Sequence, residues 1–145
     1  VSGQRVASRL CSAGCPVDRY RVGVDLVEVE RVRRVVERYG SRFVDRVYTP
    51  AEQDYCRGRI TSLAARWAAK EATAKSLACG IGDVGWRDIE VLNDERGAPC
   101  LRLYGAALAR ARALGLTAWS ISLSHTQEYA VAFVVATAEA PPAPQ

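Results

Sequence analysis

The chain has 145 residues, of which 49% are hydrophobic and 25% charged, and its net charge is +4. That is one domain's length, with material for a sizeable core and an ordinary globular composition. No apolar run approaches the roughly 20 residues of a membrane span, and the positive excess is too small to demand nucleic acid.

Residues 1–19 show no clear period and read as a flexible N-terminal arm. The first 16 include Arg5, Arg9, Cys11 and Cys15 and lack the unbroken apolar core of a secretory signal, so a cytoplasmic protein is expected. Tyr20 to Val27 alternates with β-branched residues and predicts a strand. From Glu28 to Tyr39, Val29, Val32, Val35 and Val36 fall at helical spacing, with arginines on the opposite face, and Gly40 predicts the stop. Thr49-Pro50-Ala51-Glu52 is a helix start: threonine caps, proline suits the first helical position, and the glutamate completes a capping box. A short helix to about Arg57 is expected. Thr61 or Ser62 then caps a long alanine-rich helix running to about Cys79, ended by Gly80 and Gly82.

Asp88 to Leu92 and Pro99 to Tyr104 read as a hairpin around Asn93 to Ala98. Ala106 to Leu114 reads as a helix stopped at Gly115. Trp119 to Ser124 alternates as a half-buried strand does, and Tyr129 to Thr137 is apolar enough to lie mid-sheet. The domain thus spans 20–137, and the proline-rich residues 138–145 read as a disordered tail. This order predicts an α+β fold, helices packed on a largely antiparallel sheet. Five cysteines form no C-x-x-C pair, and one histidine is too few for the usual zinc patterns, so reduced, unligated thiols are expected.

The chemistry gathers around Arg66-Trp67-Ala68-Ala69-Lys70-Glu71-Ala72-Thr73-Ala74-Lys75. Glu71 shares a helix stripe with Ala64 and Ala68, where a carboxylate is expensive unless paired. Its partner is Lys75, a metal ion or a substrate. Asp25 lies within an apolar strand, and His125, the only histidine, follows another. Each residue has a plainer reading. Asp25 suits a helix cap, Glu71 and Lys75 suit an i,i+4 ion pair of about 0.2–0.5 kcal/mol, and His125 suits a structural strand end. If Asp25 and Glu71 converge, they form an oxygen site suited to Mg²⁺, which takes one or two protein carboxylates and substrate phosphate. Lys75, Arg66 and His125 would then face phosphates, which fits phosphoryl transfer. No Gly-x-x-x-x-Gly-Lys-Ser/Thr loop is present.

Four motifs together resemble one family. They are Gly23-Val24-Asp25-Leu26-Val27-Glu28-Val29-Glu30-Arg31, then Thr49-Pro50-Ala51-Glu52, then Ala65 to Leu77 around Lys70-Glu71, then Ser122-Leu123-Ser124-His125-Thr126. Their order and spacing resemble holo-acyl-carrier-protein synthase, the small class of 4′-phosphopantetheinyl transferases, from about Arg21 to Ala136. The resemblance implies transfer of phosphopantetheine from coenzyme A to a serine of an apo acyl carrier protein. Adenosine 3′,5′-bisphosphate is released. It implies Mg²⁺ on Asp25 and Glu71, Glu28 in the metal's outer shell through water, and Lys75 near the transferred phosphate. It assigns coenzyme A contacts to Arg66, Lys70, Lys75, Gly97, Pro99 and His125, and carrier docking to Arg31 and Arg34. It implies a homotrimer with sites between subunits, serving fatty-acid or polyketide synthesis, with no nucleic acid or membrane partner. Ala98 stands where members often carry lysine, and Ala74 where some carry serine. The competing reading is a non-catalytic α+β module whose arginine face grips an acidic protein.

Overall fold

The structure is a computed structural model that describes residues 19–138. The expected arm over 1–19 and tail over 138–145 fall almost wholly outside the described residues, as do Cys11 and Cys15.

The elements are β1 (Tyr20–Glu28), α1 (Val29–Tyr39), α2 (Ser41–Val47), α3 (Pro50–Cys56) and α4 (Ile60–Ser76). A 3₁₀ turn (Trp86–Asp88) leads to β2 (Ile89–Asn93) and β3 (Pro99–Leu103). Then follow α5 (Gly105–Ala113), β4 (Ala118–His125) and β5 (Tyr129–Thr137). All paired strands run antiparallel, and the α+β class holds. The strands divide into two sheets: β1-β5-β4, with β5 in the middle as its composition predicts, and the separate hairpin β2-β3.

The three-stranded sheet turns a small-residue face towards α4. Gly23 and Val27 of β1 and Ala130, Ala132, Val134 and Ala136 of β5 are buried there, as are Ala64, Ala68 and Ala72 of α4. Small side chains allow close approach of helix and sheet. At Gly23 the approach is so tight that an added Cβ would lie 1.8 Å from the Ala72 carbonyl oxygen. A second, smaller core packs α5 and the segment after α4 against β3, around Leu77, Ile89, Leu103 and Ala107.

The capping box forms as the sequence predicts. Thr49 N donates to Glu52 Oε2 at 2.8 Å, and Glu52 N donates to Thr49 Oγ1 at 3.3 Å. Two local readings are corrected, and one helix is added to the predicted elements. Residues 41–47 are helical, because Gly40 ends α1 at φ 56° and α2 starts at once, burying Val47. Neither Thr61 nor Ser62 caps α4. Its N-cap is Arg59, in extended backbone without a side-chain cap. The helix ends at Ser76, short of Cys79, and Ala78 follows in the left-handed region at φ 53°. No helix of the described residues is long and apolar enough to cross a membrane.

Candidate active site

The site is built on α4, which carries functional side chains on two sides. At 3.6 residues per turn, Arg66 and Glu71 project about 140° apart. Two clusters result.

The first lies where α4 crosses β1. Strand alternation puts Asp25 on the same face as Gly23 and Val27, towards the helix. Lys75 Nζ lies 3.0 Å from Asp25 Oδ1 and donates to the Val24 carbonyl at 2.9 Å. The helix-cap reading of Asp25 fails, since α1 has no side-chain cap. The plain Glu71–Lys75 pair fails too, since the lysine's ion pair is with Asp25. Burial pushes the Glu71 carboxyl above the ordinary glutamate value, and the Asp25 charge adds to this, while Lys75 and Arg31 pull it back. Two carboxylates that repel at one half-buried spot suit a divalent cation, which would relieve the repulsion. Among the described residues no group of three or more His, Cys, Asp or Glu gathers, and Mg²⁺ needs only one or two carboxylates. Asp25 and Glu71 therefore fit it. Glu28 lies three residues beyond Asp25, on the opposite face by alternation.

The second cluster lines a cleft of about 200 Å³ formed by Tyr55, Ser62, Ala65, Arg66, Asn93, Gly97, Pro99, Leu123 and His125. Arg66 is buried. Its guanidinium sits 4.1 Å from the Tyr55 ring centroid, and Nη2 donates to Asn93 Oδ1 at 2.6 Å. Its Nε is buried without a protein acceptor, which leaves a donor for a ligand oxygen. Asn93 Nδ2 donates to the Gly97 carbonyl at 2.9 Å. Asp94 Oδ1 accepts from the backbone N–H groups of Arg96 and Ala98, shaping the loop that carries Gly97 and Pro99. A larger groove of about 350 Å³ passes Glu28, Arg33 and Tyr129. It holds neither Asp25 nor His125.

The structure thus brings Asp25, Glu71 and Lys75 together, and separately Arg66, Gly97, Pro99 and His125. Lys70 joins neither cluster. Its ammonium is wholly buried 2.9 Å from Glu52 Oε2, and it donates to the carbonyls of Trp86 and Ile89. Those three acceptors occupy all its N–H groups, so the expected coenzyme A contact is replaced by a structural one. Burial pulls this ammonium below the ordinary lysine value, against the opposing pull of Glu52. Tyr55 and Asn93 were not singled out from sequence. Asn93 read as a turn residue, and Tyr55 carried no signal beyond helical spacing from Glu52. Arg31 lies over the Trp67 ring at 5.8 Å, and Arg34 pairs with Glu30 at 3.5 Å on the exposed face of α1.

This arrangement of carboxylates, lysine and basic cleft coincides with similarity to known proteins. The profile of the 4'-phosphopantetheinyl transferase superfamily matches residues 21–134. The holo-[acyl-carrier-protein] synthase of Herpetosiphon aurantiacus is 53% identical over 120 residues, covering 78% of this chain and 94% of its own. The chain belongs to the 4'-phosphopantetheinyl transferase superfamily, within the holo-[acyl-carrier-protein] synthase family. It is an enzyme of that family, and its α+β fold is the family's. The Helicobacter pylori synthase in complex with coenzyme A superposes with a TM-score of 0.74 at 29% identity, covering 80% of this chain and 99% of that one. A Bacillus anthracis synthase in complex with CoA (3',5'-ADP) gives 0.67 at 31% identity, covering 82% and 96%.

Proposed function

We propose that this transferase moves 4′-phosphopantetheine from coenzyme A to a serine of an apo acyl carrier protein, with Mg²⁺ on Asp25 and Glu71. The observation that carries the reading is the meeting of Asp25, Glu71 and Lys75 at one point. Bound there, Mg²⁺ supplies charge neutralisation and positioning for the phosphoryl group. Lys75 offers its ammonium to the transferred phosphate. Arg66 and His125 hold the adenosine phosphates in the cleft, and the Gly97–Pro99 loop borders the nucleotide. The carrier serine oxygen forms the new P–O bond as the bond to adenosine 3′,5′-bisphosphate breaks. The hydroxyl proton leaves to an ordered water, since a metal-held carboxylate is a poor base. Arg31 and Arg34 steer an acidic carrier onto α1.

The assembly we propose is a homotrimer. The outer face of the three-stranded sheet carries Tyr20, Val22, Val24 and Leu26 of β1 beside Tyr129 and Phe133 of β5, each 45–66% exposed. So continuous an apolar face suits burial against another copy. The two clusters also diverge around α4, which supports a site completed between subunits.

The direct test is to incubate the protein with coenzyme A, Mg²⁺ and apo carriers and weigh the carriers. A phosphopantetheine mass gain is expected. No gain with fatty-acid and polyketide carriers alike sinks the reading, and the carrier that gains mass fastest is the physiological class.

A further inference from the structure

The cleft residues on three elements each have a buried counterpart on the same element. On α3, Tyr55 lies one turn from Glu52. On α4, Arg66 lies one turn from Lys70. On β2, Asn93 lies two residues from Val91, on the same strand face. The outer three form one chain of contacts, Tyr55 ring to Arg66 to Asn93. The inner three form another. Glu52 Oε2 meets Lys70 Nζ at 2.9 Å, and Val91 N donates to Glu52 Oε1 at 2.8 Å. Two rungs therefore join the same three elements, one lining the cleft and one beneath it.

The inner rung is fully buried and fully bonded. Glu52 and Lys70 are both 0% exposed. Glu52 also accepts from Thr49 N, and Lys70 also donates to the Trp86 and Ile89 carbonyls. A buried ion pair of this kind adds little net stability over an apolar substitute. It does fix distance and register, because both charges lose most of their energy if either moves. The elements it fixes, α4 and β2, are those that aim Arg66 and Asn93.

We propose that Glu52 and Lys70 are positioning residues for coenzyme A. Their buried ion pair sets the register of α3 and β2 on α4, and thereby holds the Arg66 guanidinium between Tyr55 and Asn93, where it takes the ligand's phosphate. The inference rests on the reading that coenzyme A occupies this cleft.

The test uses the full chain and the double substitution E52Q/K70M. Removing both charges avoids stranding one of them; the glutamine carbonyl oxygen can still accept from Val91 N, while its amide nitrogen no longer accepts from Thr49 N, so the variant is expected to fold with a lower melting temperature. Circular dichroism and light scattering check that fold and the oligomeric state match wild type. The expected result is a rise of about tenfold in KM for coenzyme A and in the Kd of adenosine 3′,5′-bisphosphate. Carrier KM, Mg²⁺ affinity and kcat at saturating coenzyme A should hold. A merely structural pair would lower the melting temperature and the active fraction while leaving KM unmoved. In an R66A background the double substitution should add almost nothing, because both act through one guanidinium. An unchanged coenzyme A KM in the folded variant, or full additivity with R66A, overturns the inference. If R66A and H125A each leave coenzyme A KM unchanged, the cleft reading itself fails, and that outcome is distinct. Should E52Q/K70M not fold, K70R, which keeps the pair's charges and changes only its geometry, supplies the same contrast through its thermal midpoint and KM; loss of stability with unchanged KM refutes positioning.

Discussion

Lys75 stands one turn beyond Glu71 on α4, yet its ammonium lies on Asp25, 3.0 Å from Oδ1, and is anchored by the Val24 carbonyl at 2.9 Å. A lysine thus occupies one of the two carboxylates proposed to take Mg²⁺, and it must give way when the ion binds. Lys75→Gln should therefore bind Mg²⁺ at least as tightly as wild type in the absence of coenzyme A. Its kcat should still fall by at least about tenfold, because a charged donor to phosphate is gone. Isothermal titration or Mn²⁺ electron paramagnetic resonance reads the first quantity and the carrier mass assay the second. Clearly weaker metal binding in the variant would mean that Lys75 supports the ion rather than competing with it.

The Glu71 carboxyl is pushed upward by burial first and by Asp25 second. A carboxyl raised by folding costs the fold stability once it ionises. That cost is absent below the ordinary glutamate range, where both states are protonated, and grows as pH rises through the raised value. Glu71→Gln should therefore raise the melting temperature of metal-free protein at pH 7–8, with the gain shrinking to nothing on acidification. Mg²⁺ should raise the melting temperature of wild type and leave the variant unmoved. Differential scanning calorimetry across pH checks both; a variant that melts lower at neutral pH would contradict the burial argument.

Gly23 is the point of closest approach between β1 and α4, and a Cβ there would meet the Ala72 carbonyl oxygen at 1.8 Å. Both neighbours are backbone, so neither yields by turning a side chain. Gly23→Ala should cost about 3 kcal/mol in urea unfolding. It should also blunt the Mg²⁺-induced thermal shift, because Asp25 lies two residues along the same face. A midpoint like that of wild type would show that strand and helix separate more easily than their packing suggests.

The outer sheet face offers a separate test. Leu26 projects from the side of β1 opposite Asp25 and is exposed. Leu26→Glu should leave the monomer folded and prevent assembly, since a carboxylate on an apolar contact stays unpaired. Light scattering at micromolar concentration should report the mass of one chain, and specific activity should become strongly concentration-dependent. An intact oligomer would place the interface elsewhere.

Much of this was legible in the sequence, for physical reasons that can be named. The apolar composition of Tyr129 to Thr137 marks the central strand, and Thr49 with Glu52 marks a helix start, because both signals are local. The meeting of Asp25 and Glu71 was legible only through the family's motif spacing, since the charge interaction between them joins residues far apart in the chain. Lys70 was misplaced for the same reason. It sits beside Glu71 in the motif, but its partner, Glu52, lies on α3, where its spacing from Thr49 signals only a cap. Glu52 does both jobs, one oxygen serving Thr49 and Lys70 and the other Val91, and no local pattern reveals that. The split into two sheets has no local signal either, because strand pairing is set by the whole core.

Arg31 and Arg34 are both proposed to face the carrier, but their surroundings differ. Arg34 pairs only with Glu30, through an exposed i,i+4 contact worth little. Arg31 lies over Trp67, and its charge acts on Glu71. Arg34→Glu should lower kcat/KM for an acidic carrier by about tenfold at low salt, through lost steering. Coenzyme A KM and Mg²⁺ affinity should not change, and the defect should shrink as salt screens the field. Arg31→Glu should show the same carrier defect and in addition weaken Glu71's hold on its proton-free state, so that Mg²⁺ dependence shifts as well. Steady-state kinetics with each substrate varied in turn, at two ionic strengths, separate the cases. Equal loss for carrier and coenzyme A in Arg34→Glu would remove the docking role from this face of α1.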